Sequence, residues 1–140
     1  MGKINWARVF TGGLLAGLII DIGEFILNEP ILGAQYQAAM EARNMEPPGT
    51  SAIMVFVLMG IALGILAVWL YAAIRPRMGP GPKTAACAGS VVWALSYLYP
   101  NVGFLAMDFF PSKLILIATL WGLVEITLAT VAGAWLYKET

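Results

Sequence analysis

The chain has 140 residues, of which 60% are hydrophobic and 11% charged, a balance too apolar for a soluble domain, whose surface must be largely polar. Eight basic residues against eight acidic ones give no general attraction for nucleic acid, and the absence of histidine removes imidazole-bound haem or zinc and Ser-His or Cys-His catalysis. Cys87 is the only cysteine, so one chain holds no internal disulfide, CxxC pair or thiolate metal cluster, and no cofactor is implied.

The length suits one transmembrane domain over residues 1–140, because each helical crossing takes about 20 residues of a hydrocarbon core roughly 30 Å thick. The fold class expected is all-α, an integral membrane four-helix bundle. The first span is predicted at Ala7 to Leu27. Lys3, Arg8 and the apolar run after them have the look of a signal peptide, but no small-residue cleavage pattern follows, so this is read as an uncleaved first helix. A surface segment, Glu29 to Thr50, comes next. Here Pro30 is expected to open a short interfacial helix with Leu32, Tyr36, Ala39 and Met40 on one face, opposite Gln35, Glu41 and Arg43, ended by Pro47, Pro48 and Gly49. The second span is predicted at Ser51 to Ile74, the third at Thr84 to Met107 and the fourth at Lys113 to Tyr137. The Pro- and Gly-rich stretch Arg75 to Lys83 and the tight turn Asp108 to Ser112 join them.

Lys3, Arg8, Arg75, Arg77, Lys83 and Lys138 fall on one side of this layout and only Arg43 and Lys113 on the other, which places both termini in the cytoplasm. Trp6, Trp69, Tyr71, Trp135 and Tyr137 lie at the same boundary, as an aromatic belt would. The endings Ala67-Val68-Trp69-Leu70-Tyr71 and Gly133-Ala134-Trp135-Leu136-Tyr137 hint at a two-helix unit used twice, or simply at that belt. Small residues four apart, at Gly13 and Gly17, Gly60 and Gly64, Ala85 and Gly89, and Ala129 and Gly133, mark close-packing faces, within one chain or between chains.

Three acids fall inside the spans, where a charged side chain costs roughly 2.5 to 3.5 kcal/mol at a helix centre and calls for a partner, water or a proton. They are Asp21, Glu24 and Glu125. Asp21, Glu24 and Asn28 are spaced three and four apart, along one helix face near the outer end of the first span. Glu125 lies about 18 Å along the fourth span, near mid-membrane. Ser96, Tyr97 and Asn101 surround Pro100, which removes a backbone hydrogen bond and can kink the third span. The expected site is Asp21, Glu24, Asn28, Tyr97, Asn101 and Glu125, an oxygen-rich pocket open to the outside that suits a cation, a proton or a small polar solute. The plainer reading is structural: Asp21 and Glu24 tie the first helix to the third through Tyr97 and Asn101, and Glu125 bonds to its backbone or to Thr127. Trp93 and Trp121 read as bulk, Cys87 as packing, and the scattered methionines do not form a soft-metal site.

The opening Ile4-Asn5-Trp6, the glycine-rich first helix, the surface segment and the four-span layout resemble a family of small bacterial membrane proteins classed only as a domain of unknown function. That resemblance implies a bacterial inner-membrane location and carries no activity, ligand or site residue. Small multidrug transporters are also four-span proteins with an essential glutamate in the first span, but the long segment from Glu29 to Thr50 and the acids Asp21 and Glu125 depart from their pattern. Two functions follow as expectations. One is binding or conduction through the acidic pocket, in a homo-oligomer. The other is a role as accessory or scaffold subunit of a larger membrane complex; an enzyme working through paired carboxylates is the weakest of the three.

Overall fold

A computed structural model describes residues 2–139. Among them the protein is all-α: α1 is Trp6–Ile31, α2 Gly33–Glu41, α3 Thr50–Met78, α4 covers residues 82–106 and α5 is Ser112–Leu136. Three of these, α1, α3 and α5, are each long and apolar enough to cross a membrane. α4 is wound as Pro82–Trp93, a π turn at Ala94–Leu98 and a last α-helical piece, Tyr99–Ala106, each too short for a crossing alone.

The helix ends follow from local chemistry. Asn5 caps α1, its side-chain oxygen accepting the Arg8 N–H at 3.2 Å, while its own N–H donates to the Tyr137 hydroxyl at 3.2 Å. α3 stops at Gly79, whose φ of 83° no bulky residue adopts readily, and Gly81 at φ 129° completes the reversal before Pro82 starts α4. Thr84 donates to the Gly79 carbonyl at 2.7 Å and the Gly81 N–H donates to the Tyr71 hydroxyl at 3.3 Å, which fixes the turn.

The short helix between the first two spans departs from the sequence reading at both ends. Pro30 lies inside a π turn, Leu27–Ile31, that closes α1, so it does not open α2. The proline ring displaces the α-type hydrogen bond behind it, and the wider winding absorbs the clash. α2 ends at Glu41, and the turn at Asn44 with φ 55° finishes it before Pro47 is reached. The face is as expected: Leu32 is buried and Tyr36, Ala39 and Met40 are half-buried, while Gln35, Glu41 and Arg43 are exposed.

α1 packs on α3 and α5, and α4 packs on α5 and α3. The small residues meet within the chain. A Cβ on Gly64 would strike the Gly13 carbonyl and the Gly17 backbone, one on Gly12 the Gly133 carbonyl, and one on Gly89 the Thr127 and Ile126 backbone. Dispersion between close backbones drives helix association where lipid already satisfies apolar side chains. The core between them holds Val9, Ala16, Ile20, Val68, Ala88, Ile126 and Ala129. Large apolar side chains also cover the outside, Phe10, Leu14, Leu18, Ile22 and Phe25 along α1 and Leu116, Leu120, Val124 and Leu128 along α5. An outer surface this apolar, over helices of this length, is suited to contact with lipid.

One end of the bundle gathers the start of α1, the end of α3, the start of α4 and the end of α5. Arg75 pairs with Glu139 at 3.1 Å, and Tyr71 meets Tyr137 edge-on at 5.9 Å. The two Trp-Leu-Tyr endings thus share a geometry in which the tyrosines turn inward and Trp69 and Trp135 face out.

Candidate functional site

Glu24 on α1, Tyr97 on α4 and Glu125 on α5 converge. The Tyr97 hydroxyl bonds Glu24 Oε1 and also lies 3.2 Å from Glu125 Oε1. Asn28, one turn beyond Glu24, donates its amide to Glu24 Oε2 at 3.0 Å and to the Glu24 backbone carbonyl at 2.8 Å. Trp121, one turn before Glu125, donates its indole N–H to Glu125 Oε2 at 2.8 Å. The Tyr97 hydroxyl thus bridges the two carboxyls. Glu125 is 7% exposed, and its carboxyl fills the space beside Gly23 of α1 that a Cβ there would occupy.

Four of the six expected residues are therefore brought together: Glu24, Asn28, Tyr97 and Glu125. Asp21 turns away, its carboxylate lying against Gly60 of α3. Asn101 donates to the Thr119 hydroxyl at 2.7 Å, and Thr119 also receives the Trp93 indole N–H on its carbonyl at 2.8 Å, so these three form a separate α4–α5 tie. Ser96 is spent on its own helix, donating to the Val92 carbonyl at 2.7 Å. Thr127 does not meet Glu125; its buried hydroxyl has no hydrogen-bond partner among the described residues.

Trp121 is the member that sequence reasoning missed. Its spacing of four from Glu125 puts the two on one helix face, and an indole N–H in lipid needs an acceptor, so the signal was present.

Above the site, Leu27, Leu32, Leu114 and Ala118 form a second apolar cluster with Tyr36, Ile117 and Trp121. α2 lies over it. Tyr36 packs edge-on against Phe110 at 5.8 Å, and Arg43 reaches the Asp108 carbonyl while its guanidinium sits 4.6 Å over the Phe109 ring. Burial, with the Glu24 charge added, pushes the Tyr36 phenol up to about 12. A cavity of about 670 Å³ on the outer flank of α4, around Leu95, Tyr99 and Gly103, and one of about 460 Å³ between α2 and α5 lie elsewhere. No group of three or more metal-ligating side chains occurs among the described residues.

The hydrogen count of the cluster is decisive for its chemistry. Tyr97 has one hydroxyl hydrogen and two carboxyl oxygens within reach, while Asn28 and Trp121 engage the other oxygen of each acid. Two ionised carboxylates would leave one Tyr97 contact without a hydrogen. They would also repel by about 4 kcal/mol at 4 Å and the effective dielectric of a partly buried site. One added proton satisfies every contact. Comparison with family models, with curated proteins and with solved structures finds no match, so the site is read from its own geometry.

Proposed function

We propose that this protein is a four-span bundle of the bacterial inner membrane, both termini cytoplasmic, whose Glu24–Tyr97–Glu125 cluster holds one exchangeable proton. In this reading α4 is the remaining span, since 82–106 is continuous helix across its π turn. The basic residues Lys3, Arg8, Arg75, Arg77, Lys83 and Lys138 mark the cytoplasmic end, and α2 lies at the outer surface.

The single observation that carries the proposal is one tyrosine hydroxyl set between two carboxyls, Glu125 buried and Glu24 half-buried, with no basic side chain in the network. A resident metal or a solute would need open space and free ligands, whereas these oxygens are already engaged. A proton needs neither. Shared between two acids and a phenol, it can pass from Glu24 to Glu125 by small shifts of the hydroxyl, as proton-relay sites in membranes do.

Reaction with a lipid-soluble carbodiimide tests it, since that reagent modifies protonated carboxyls in the apolar phase. The purified protein in liposomes is expected to carry the adduct on Glu24 or Glu125 at neutral pH. Proton flux, read by an enclosed pH dye under an imposed gradient, should fall in Glu24→Gln, in Glu125→Gln and in the double variant. Absence of an adduct, or flux in the double variant equal to that of the parent, overturns the proposal and leaves the cluster as a tie between helices.

A further inference from the structure

The outer half of α3 stands apart from the bundle. Seven consecutive residues, Ile53 to Met59, are each between 45% and 66% exposed, so the helix is bare on every face for nearly two turns. Packing begins abruptly at buried Gly60, and what Gly60 meets is Asp21. The foot of the cleft between α1 and α3 therefore holds a carboxylate. Among the described residues Asp21 has no hydrogen-bond or ion-pair partner, and the proton cluster does not use it.

Exposed apolar surface alone is ordinary in lipid. An unpaired carboxylate beside it is not, because burying one without a partner costs roughly 2.5 to 3.5 kcal/mol at mid-helix. Asp21 is ten residues from the outer end of α1, about 15 Å by helical rise. A second copy of this chain has nothing to neutralise it: no Lys or Arg lies between Arg8 and Arg43, between Arg43 and Arg75, between Lys83 and Lys113, or between Lys113 and Lys138. Arg43 and Lys113 sit at the outer boundary, too far above Asp21 for their side chains to reach.

We infer that the flared outer half of α3, with Asp21 at its foot, is the docking surface for a transmembrane helix of another protein that carries a lysine or arginine at the depth of Asp21. The inference rests on the four-span membrane reading and is independent of the proton cluster. Packing along Ile53, Phe56 and Val57, the bare residues on the Gly60 face of α3, supplies contact area, and the ion pair sets register and selects the partner.

The test uses the full chain, with Cys87→Ala and a donor dye on Glu46→Cys in the exposed outer loop, in phosphatidylcholine liposomes. The probe is a synthetic Leu-Ala single-span peptide bearing an acceptor dye and one lysine at the depth of Asp21. Energy transfer should report association roughly tenfold tighter than for the same peptide with leucine in place of lysine, within the range of measured intramembrane polar contacts. Asp21→Asn, a near-isosteric change, should erase that difference. Equal transfer with the two peptides, or a difference that survives Asp21→Asn, overturns the inference. So does transfer between copies of the chain that the lysine peptide does not compete away, since α3 would then be covered by a second copy.

Discussion

Gly64→Ala is the sharpest probe of how the bundle is held. The added methyl would fall 2.6 Å from the Gly17 Cα and would also strike the Gly17 nitrogen and the Gly13 carbonyl, all of them backbone that no rotamer change can move. α1 and α3 must then separate locally, and overpacking of this kind costs typically 1 to 3 kcal/mol. Against that, replacing a helical glycine recovers roughly 0.5 to 1 kcal/mol of conformational entropy. Because every contact is with backbone the upper half of that range applies, and the net expectation is a loss of about 1 to 2 kcal/mol. Gly103→Ala is the matched control, since a Cβ there meets nothing within 4 Å and only the entropic gain applies. Reversible unfolding in mixed micelles, followed by circular dichroism against denaturing detergent, should show the two substitutions moving stability in opposite directions. If Gly64→Ala is neutral or stabilising like Gly103→Ala, the α1–α3 crossing does not lie at Gly13, Gly17 and Gly64, and the placement of Asp21 against Gly60 fails with it.

Two further outcomes follow from the site. Trp121→Phe keeps the ring but removes the donor to Glu125 Oε2, and leaving a buried acceptor unsatisfied should lower stability by roughly 1 to 3 kcal/mol; unchanged unfolding in the same assay would show that the indole bond is not formed. The Tyr36 phenol is raised to about 12 in the folded state against its ordinary value of 10, so the unfolded chain gives up this proton first. The stability linked to it is complete below pH 10 and is lost as pH rises from 10 to about 12. The difference in tyrosinate absorbance between the parent and Tyr36→Phe should accordingly titrate late, and a midpoint at the ordinary value would place Tyr36 in water, away from Glu24.

Much of the architecture was legible because periodicity and small-residue spacing reflect local forces. The faces containing Gly13, Gly60 and Ala129 needed no knowledge of neighbours, and the outward-turned Trp69 and Trp135 follow from interface chemistry. Which acids would meet was not legible. Asp21 and Glu24 share a helix face only loosely: three residues at 3.6 per turn leave them about 60° apart. That angle suffices to turn one toward α3 and the other toward α4 and α5. Sequence spacing gives neighbours along a helix, but not which partner lies across from each.

The winding of the helices was not legible either. Both π turns flank the cluster, Leu27–Ile31 just after Glu24 and Ala94–Leu98 around Tyr97, and each accompanies a proline, Pro30 within the first and Pro100 just beyond the second. A π turn takes up an extra residue and so rotates everything beyond it relative to an ideal α-helix. Asn101, one turn beyond Tyr97, meets Thr119 on the same helix that carries Glu125. Tyr97 itself lies within the second π turn, so its placement between Glu24 and Glu125 depends on that winding. Disturbing the bulge should therefore separate the phenol from the acids even with every cluster residue intact, so the two prolines belong to the site as much as the side chains that form it.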